Sequence, residues 1–300
     1  MNGPLFTGSA VAIVTPFGAD GKVNFEKLAE LIDFQIENGT SAIVICGTTG
    51  ESATQSLGEH AETVSFAIRH TAKRVPVIAG GGSNDTMAAL YLCQHAEEQG
   101  ADGLLLVTPY YNKATQKGLI KHYEYIADRI SIPIILYNVP ARTGCNFAAS
   151  TYAHLAKHKS IHGVKEASGD FELVSRTLAA TAGEEFYIWS GDDKLALPMI
   201  SLGAKGLISV LANIAPRPMA RICEYALAGD YVKARELHLK YFSIMDAMFY
   251  EVNPIPVKTS MNLMGMSVGN LRLPLCEMED ANLAKLKQEL ASAGLIQPGA

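Results

Sequence analysis

The sequence has no apolar stretch that approaches the roughly 18 residues that a membrane-spanning helix needs. Its first positively charged side chain is Lys22, which comes too late for the basic start of a secretory signal peptide. These two absences exclude an integral membrane protein and give no sign of export. We therefore expect a protein that makes no membrane contact and works in the cytoplasm.

Cysteine and histidine are present but are not arranged for metal or disulfide chemistry. The five cysteines (Cys46, Cys93, Cys145, Cys223 and Cys276) are odd in number, widely scattered, and form no C-x-x-C pair. The eight histidines include no H-E-x-x-H pattern. The pattern predicts reduced and mostly buried thiols and no metal site, so that any chemistry is carried by organic groups.

Basic residues are also fewer than acidic residues. Lys and Arg number 25 against 30 Asp and Glu, a net charge of −5, and the basic residues form no run that could follow a phosphate backbone. Nucleic acid is therefore excluded as a partner. Hydrophobic residues make up 48% of the chain and charged residues 18%, which is typical of a globular protein with a sizeable core.

Short, nearly continuous apolar runs recur along the first two thirds of the chain, each followed by a helix-like segment. Such runs are typical of parallel strands that are covered on both faces. The eight runs are Ser9–Val14, Ala42–Cys46, Val75–Ala79, Gly103–Val107, Pro133–Tyr137, Ile161–Lys165, Phe186–Ser190 and Gly206–Val210. Their even spacing, and the absence of G-x-G-x-x-G after the first run, favour an α/β fold of the (β/α)8 TIM-barrel type over an open sheet.

The strand signal stops after Ala212, and the rest of the chain is predicted to be helical. The expected helices are Pro216–Ala228, Tyr231–Phe249, Val257–Gly265 and Asp280–Ala293. We therefore expect a barrel over residues 1–212 and a C-terminal helical extension over residues 213–300. No Ser/Gly/Pro-rich linker separates the two parts, so the extension should pack against the barrel as one unit.

The active site of such a barrel lies at the carboxyl ends of its strands, and there the chain is conspicuously polar. Lys165 closes the sixth apolar run, and strand alternation directs it either into the barrel or away from it. An inward lysine has a lowered pKa because burial disfavours its charged form, and the free amine is a nucleophile. The alternative is a strand-end lysine whose ammonium group reaches solvent.

Hydroxyl groups end three other strands, at Tyr137, Tyr111 and Thr49. Three hydroxyls near one amine could relay protons, although a tyrosine with a satisfied hydroxyl is also common in a protein core. Thr48 and Thr49 lie between two glycines that could bring backbone N–H groups to an anion, or could form an ordinary turn. Arg142 lies on a loop after the fifth strand, where it could clamp a carboxylate or be a solvated surface residue.

The pair Asp192 and Asp193 follows the seventh strand. Two adjacent carboxylates could form a metal site or an acid–base dyad. The preferred interpretation is an N-cap followed by a first-turn charge for the next helix.

Taken in order, these motifs resemble the dihydrodipicolinate synthase and N-acetylneuraminate lyase family over the whole chain. The motifs are GTTGESAT from Gly47, TPYYNK from Thr108, YNVPARTG from Tyr137, GVKEASG from Gly163, SGDD from Ser190, GLISV from Gly206 and NPIPVK from Asn253. The resemblance implies an aldolase-like condensation without a cofactor. In that reaction a lysine forms a Schiff base with pyruvate, and the resulting enamine attacks the aldehyde of aspartate semialdehyde.

The resemblance also implies a role for each site residue. Lys165 would form the Schiff base, Thr48 and Thr49 would hold the pyruvate carboxylate, and Arg142 would bind the carboxylate of the semialdehyde. Thr49, Tyr137 and Tyr111 would relay protons, with Tyr111 reaching in from a neighbouring subunit, and the backbones of Gly191 and Ile208 would position the Schiff base. A homotetramer built as a dimer of dimers is implied as well.

Three other functions remain open at this point. A sialic acid or other keto-sugar-acid lyase would use the same lysine and tyrosine, but such lyases usually have Ser-Thr in place of Thr48-Thr49 and lack the arginine at position 142. A phosphate-ester isomerase would need a glycine nest after the last two strands, whereas Gly203 and Gly206 flank the eighth strand. A binding protein without catalysis is disfavoured because the lysine, tyrosine and threonine are all present.

The resemblance also bears on whether lysine inhibits the protein. Relatives inhibited by lysine resemble this chain at five residues that would line an effector pocket: Ser52, Ala53, His60, Asn84 and Tyr110. These relatives usually have a histidine where Leu57 stands and a glutamate where Ala88 stands. Because an ammonium group that leaves water needs a compensating carboxylate, we expect weak or absent inhibition by lysine, unless a carboxylate such as Glu59 compensates.

Overall fold

The computed structural model describes residues 3–297, and within them eight parallel strands form a closed barrel in sequence order. The strands are β1 (Gly8–Ala12), β2 (Ala42–Ile45), β3 (Val77–Gly80), β4 (Gly103–Val107), β5 (Ile134–Asn138), β6 (Ile161–Glu166), β7 (Tyr187–Ser190) and β8 (Gly206–Ser209). The last strand pairs with the first, which closes the barrel. The predicted (β/α)8 fold is confirmed, because each of the eight apolar runs overlaps one strand of the barrel.

Helices follow the strands in alternation and continue beyond the last one. They are α1 (Phe25–Glu37), α2 (Leu57–Thr71), α3 (Thr86–Glu98), α4 (Gln116–Ala127), α5 (Pro140–Thr143), α6 (Ala149–Leu155), α7 (Phe171–Ala180), α8 (Ala196–Ser201), α9 (Pro216–Leu227), α10 (Tyr231–Ala247), α11 (Ile255–Leu263) and α12 (Asp280–Ser292). Several begin at a polar cap; for example, Asn24 Oδ1 accepts a hydrogen bond of 2.9 Å from the Lys27 N–H at the start of α1.

Strand alternation divides the buried side chains into two layers. Side chains such as Val44, Ile135 and Ile208 fill the barrel interior, whereas their neighbours in sequence pack outward against the helices. Trp189 closes the amino-terminal end of the interior, where its ring stacks on Phe6 at a centroid distance of 5.2 Å. The interior is thus a packed core, and only its carboxyl-terminal end is left for a ligand.

The C-terminal helices pack against the barrel. The first of them, α9, contacts β1 and β8 and completes the outer ring, so it serves as the eighth barrel helix. The other three, α10 to α12, pack against one another and against the carboxyl-terminal side of the barrel. No helix within residues 3–297 is long and apolar enough to cross a membrane.

Candidate active site

Lys165 and Tyr137 lie side by side on neighbouring strands at the carboxyl end of the barrel. The register of β5 and β6 pairs the two residues directly. Both side chains face the interior, where Lys165 is 5% and Tyr137 7% exposed, and Lys165 Nζ lies 4.5 Å from the centre of the Tyr137 ring. The inward orientation of Lys165 is thus established, and a lysine that reaches bulk solvent is excluded.

Burial gives the Lys165 amine an unusual pKa. Desolvation lowers it from 10.5 to about 8, the charge of Asp193 opposes this shift, and the charge of Arg142 adds to it. At pH 7 about one tenth of such an amine is unprotonated, compared with about one part in three thousand at the ordinary pKa. The barrel therefore holds a lysine that is ready to act as a nucleophile.

Gly191 gives the lysine side chain its space. A Cβ on Gly191 would lie 3.0 Å from Lys165 Cε and 2.8 Å from Ala167 Cβ, so only glycine fits there without displacing the lysine. The Gly191 N–H donates to the Glu166 carbonyl at 2.8 Å, which fixes this backbone beside β6. Ile208 is fully buried on β8 and belongs to the same interior layer as Tyr137.

Thr48 and Thr49 lie on a tight loop after β2. The loop is closed by hydrogen bonds of 3.1 Å from the Gly50 N–H to the Gly47 carbonyl and from the Glu51 N–H to the Thr48 carbonyl. Thr49 is 2% exposed, whereas Thr48 is half-buried. Thr48 lines the cavity at the open end of the barrel, whereas the Thr49 hydroxyl accepts a hydrogen bond from Asn253.

The phenol of Tyr137 is held in its neutral form. Burial raises the pKa of Tyr137, and the charge of Arg142 and a hydrogen bond with Thr48 oppose that rise. Of the two threonines, Thr48 is therefore the one in contact with Tyr137. A neutral phenol beside an amine can donate a proton and take it back during carbonyl chemistry.

Arg142 lies at the mouth of the site on the short helix α5. It is exposed, and its Nη2 donates to the Asn253 carbonyl at 2.9 Å. Arg142, Thr48 and Tyr137 together line a cavity of about 410 Å³. The position, the charge and the free donors of the guanidinium suit it for binding a carboxylate that enters the cavity.

The same cavity extends to the expected effector residues. Its lining includes four of them, Ser52, Ala53, His60 and Tyr110. The fifth, Asn84, lies on the adjacent loop, where its carbonyl accepts from Asn112 Nδ2 at 2.9 Å. Leu57 and Ala88 also line the cavity, so its outer part presents an apolar side chain and a methyl group.

Tyr111 is a predicted site residue that lies away from Lys165 of its own chain. Its side chain is 88% exposed, so it cannot contact the buried lysine and tyrosine of its own barrel. Its backbone has a φ of +72°, in the left-handed region that a non-glycine residue adopts only at a cost. The loop after β4 therefore projects a tyrosine into solvent in a strained conformation.

The two aspartates after β7 have different environments. Asp192 caps the short helix Asp193–Leu195 and accepts from the Lys194 N–H at 2.9 Å, as predicted. Asp193 is 2% exposed and accepts from the Ser209 hydroxyl and from the Val210 and Leu211 N–H groups. Asp193 lies in the first turn of that helix, as predicted, and its carboxylate also joins the end of β7 to the end of β8.

Clusters of metal-binding side chains are not found in the described part of the chain: no three His, Cys, Asp or Glu residues within residues 3–297 are grouped to hold an ion. His154 and His158 are four residues apart, but they pair with Glu124 and Asp128 respectively. The cysteines are free thiols, and all except Cys276 are buried.

Two residues of the C-terminal extension reach the site, and sequence reasoning assigned them no role. Asn253 Nδ2 donates to Thr49 Oγ1 at 3.0 Å. Lys258 is 1% exposed and donates to Glu51 Oε1 at 2.8 Å, on the loop that carries the threonines. The NPIPVK motif contains both residues and is one of the motifs on which the family resemblance rests, although the resemblance gives neither residue a role.

Comparison with known proteins agrees with this geometry. Residues 5–293 match the family described as the dihydrodipicolinate synthetase family. The chain belongs to this family. The resemblance seen in the sequence motifs is therefore confirmed.

Relatives in the dihydrodipicolinate synthetase family are similar over nearly their whole length. A 4-hydroxy-tetrahydrodipicolinate synthase of Geobacter metallireducens is 55% identical over 292 residues, which cover 97% of this chain and 100% of that protein. The chloride-inhibited dihydrodipicolinate synthase of Acinetobacter baumannii, solved with pyruvate, is 44% identical with a TM-score of 0.94, covering 97% and 99% of the two chains. The enzyme of Cyanidioschyzon merolae, solved with lysine bound, is 38% identical with a TM-score of 0.94 at the same coverage.

Proposed function

We propose that this protein condenses pyruvate with aspartate semialdehyde to form 4-hydroxy-tetrahydrodipicolinate, a step in the biosynthesis of diaminopimelate and lysine. The observation that carries the proposal is the buried amine of Lys165 beside the phenol of Tyr137. It is supported by a relative with this activity in its name that is 55% identical over nearly the whole chain.

The first half of the reaction makes a nucleophile from pyruvate. The unprotonated Nζ of Lys165 attacks the C2 carbonyl carbon, and the adduct loses water to give an iminium ion. Loss of a proton from C3 then gives an enamine. Tyr137 supplies the proton for the departing water and accepts one back, while the loop of Thr48 and Thr49 holds the pyruvate carboxylate.

The second half joins the two substrates. C3 of the enamine attacks the aldehyde carbon, and the aldehyde oxygen takes up a proton to become the 4-hydroxyl group. The amino group of the former semialdehyde then attacks the iminium carbon, closes the ring, and releases the Lys165 amine. Arg142 holds the carboxylate of the semialdehyde at the mouth of the cavity, and Gly191 leaves room for the adduct on Lys165.

Borohydride trapping and product assays test this function together. Reduction in the presence of pyruvate should add one pyruvate-derived group to Lys165, and Lys165→Ala should abolish the mass increase. A coupled assay should detect turnover of pyruvate with aspartate semialdehyde and no cleavage of sialic acid. A label on another lysine, or activity with sialic acid alone, would refute the proposal.

The proposed enzyme acts as a homotetramer, a dimer of dimers, in which Tyr111 of a second copy completes a proton relay with Tyr137 and its neighbour Thr48, in place of the expected Thr49. This proposal is supported by the strained backbone and 88% exposure of Tyr111. An exposed tyrosine held at a positive φ is explained if it enters the site of another copy.

Mixing two inactive variants tests this shared site. Lys165→Ala keeps Tyr111, and Tyr111→Phe keeps Lys165, so a hybrid pair contains one site with both residues intact. We expect activity to return when the two variants are unfolded and refolded together, up to about a quarter of the wild-type value for random pairing. No recovery in hybrids verified by mass spectrometry, or an active monomer in sedimentation, would contradict the shared site.

Lysine should not inhibit this enzyme strongly. The outer part of the cavity carries Leu57 and Ala88, neither of which offers an ammonium group a partner. Glu59, the carboxylate that could compensate, is bound to Arg272 through two hydrogen bonds of 2.6 Å, and this contact lowers the pKa of Glu59. Losing one charge-assisted contact corresponds to about 1.5 to 3 kcal/mol, or one to two orders of magnitude in affinity.

Titration of activity with lysine at saturating pyruvate measures this directly. Wild-type enzyme should keep its activity at submillimolar lysine. The double variant Leu57→His, Ala88→Glu restores the two side chains that lysine-inhibited relatives usually have, and it should become sensitive. Strong inhibition of the wild type at submillimolar lysine would overturn the expectation.

The cytoplasm is the proposed compartment. The free thiols of Cys46, Cys93, Cys145, Cys223 and Cys276 support a reducing environment. Activity that fractionates with a cytoplasmic marker enzyme would agree with this assignment, and activity in the medium or membrane fraction would not.

A further inference from the structure

Thr143 follows the proposed carboxylate clamp, Arg142, and lines the same cavity. It ends the short helix α5 and is 4% exposed. Its Oγ1 accepts from the Thr108 hydroxyl at 3.1 Å and from the Cys145 N–H at 3.2 Å, and it donates to the Cys145 carbonyl at 2.9 Å. These bonds use the one hydrogen and two lone pairs that a hydroxyl has, so no capacity is left to bind a substrate directly.

The helix α5 depends on such contacts because it is only one turn long. Its four residues have no side-chain cap at the start, and the helix ends at Gly144, which has a φ of +68°. A single turn is not stable in isolation, since forming it fixes several residues for few hydrogen bonds. The direction of Arg142 is therefore set by the groups that hold this turn to the barrel.

Thr108 connects the turn to the strand that carries Tyr137. It is fully buried just after β4, where its N–H donates to the Tyr137 carbonyl at 3.0 Å and its hydroxyl donates to Thr143. This bridge holds the turn from its buried side, whereas the bond from Arg142 to the Asn253 carbonyl holds it from the exposed side. Because both hydroxyls are buried, water does not compete for the bond between them.

We propose that Thr143 is a positioning residue for the second substrate: with Thr108 it forms a buried hydroxyl bridge that fixes the Arg142 guanidinium relative to Tyr137. This inference rests on the proposed function, since it assumes that Arg142 binds the carboxylate of aspartate semialdehyde. A clamp helps the condensation only when it holds the aldehyde carbon close to the enamine. A displaced turn should therefore impair the second half of the reaction and spare the first.

Variants of the bridge separate the hydroxyl from the shape of the side chain. Thr143→Val keeps the branched shape and removes the hydroxyl, whereas Thr143→Ser keeps the hydroxyl. We expect kcat/KM for aspartate semialdehyde to fall about fivefold to tenfold in the valine variant, mostly through KM, and to stay within about twofold in the serine variant. Thr108→Val, which removes the donor to Thr143, should give a smaller loss in the same quantity. Pyruvate trapping on Lys165 should stay within about twofold in all three variants, a difference that a general loss of structure would not produce.

A double-mutant cycle with Arg142→Ala shows whether Thr143 acts through the arginine. If it does, adding Thr143→Val to Arg142→Ala should lower kcat/KM for the semialdehyde by less than about twofold. Losses that multiply would overturn the inference alone, provided that Arg142→Ala is itself impaired. Wild-type kcat/KM in Arg142→Ala would instead contradict the clamp of the proposed function, and the inference would fall with it.

Thr181 provides the matched control. It is also 4% exposed, and its hydroxyl donates to the Thr177 carbonyl at 2.8 Å at the end of α7, outside the lining of the cavity. Thr181→Val should lower the thermal midpoint and leave kcat/KM unchanged. Should Thr143→Val fail to fold, Thr108→Val alone decides. Thr143 is not a positioning residue if neither valine variant of the bridge folds, or if every one that folds keeps kcat/KM at the wild-type value.

Discussion

The pKa of Lys165 should control how fast the enzyme captures pyruvate. Burial lowers this pKa to about 8, so protonation of the amine limits adduct formation below that pH. The unprotonated fraction, and with it the initial rate, should rise about tenfold per pH unit from pH 6 to pH 7 and level off above pH 8. Burial raises the pKa of Tyr137 above its ordinary value, so its phenol stays neutral across this range and adds no inflection.

A rapid-quench experiment with pyruvate alone isolates this step. Enzyme and pyruvate are mixed at each pH, borohydride is added after a short delay, and the reduced adduct is counted by mass spectrometry. The second substrate is left out, so its binding and the later proton transfers do not affect the curve. The midpoint of the curve of initial rate against pH then gives the apparent pKa of Lys165.

Two arginine variants test the electrostatic cause. The positive charge of Arg142 helps to lower the pKa of Lys165, so Arg142→Met should move the midpoint to higher pH. Arg129→Met is the control, because Arg129 lies over the Tyr125 ring after α4, at the amino-terminal end of the barrel. A wild-type midpoint near 10, or a rate that does not change with pH, would refute the account of a desolvated amine.

Three further predictions concern single side chains. Arg142→Ala should reduce kcat/KM for aspartate semialdehyde about tenfold to a hundredfold and leave pyruvate trapping nearly unchanged, because only the second substrate loses a charge-assisted contact. Lys258→Met should reduce the free energy of unfolding in urea by about 3 to 5 kcal/mol, because it leaves the Glu51 carboxylate buried and unpaired. Gly191→Ala should slow pyruvate trapping more than tenfold, because the new Cβ displaces Lys165.

Control variants test the physical cause given for each of these three predictions. Lys233→Met breaks the exposed pair with Asp230 in the same extension and should leave the urea midpoint unchanged, whereas an equal loss in both variants would contradict the role of burial. Gly58→Ala adds a methyl group where no atom lies within 4 Å, and it should trap pyruvate normally. For Arg142→Ala, an equal loss in trapping and turnover would show that the arginine acts on pyruvate instead.

The sequence predicted the centre of the site because barrel geometry turns chain order into spatial order. Consecutive strands are neighbours, and their carboxyl ends meet at one rim, so a lysine and a tyrosine that end adjacent strands must lie close together. Periodicity could not show which of two adjacent threonines contacts Tyr137. The loop that carries the two threonines turns at Glu51, and no glycine in the sequence marks its left-handed φ of +52°.

Contacts from the extension could not be predicted for a different reason. Asn253 and Thr49 are 204 residues apart, and Lys258 and Glu51 are 207 apart. The local sequence around each of these residues does not specify its distant partner, because each is simply a polar residue near a turn or in a helix. The link that Asp193 makes to the end of β8 could not be predicted either, because its partners Ser209, Val210 and Leu211 lie 16 to 18 residues further along the chain.

The two buried lysines, Lys165 and Lys258, differ in the groups that bind their amines. Burial lowers the pKa of both. Lys258 donates directly to the Glu51 carboxylate and to two carbonyls, so its three hydrogens are occupied and it stays a charged structural group. Asp193 directs its oxygens to the end of β8 and therefore acts on Lys165 only as a charge at a distance, opposed by Arg142. In the proposed mechanism Lys165 can therefore act as the nucleophile, because the carboxylate of Asp193 is engaged by Ser209, Val210 and Leu211.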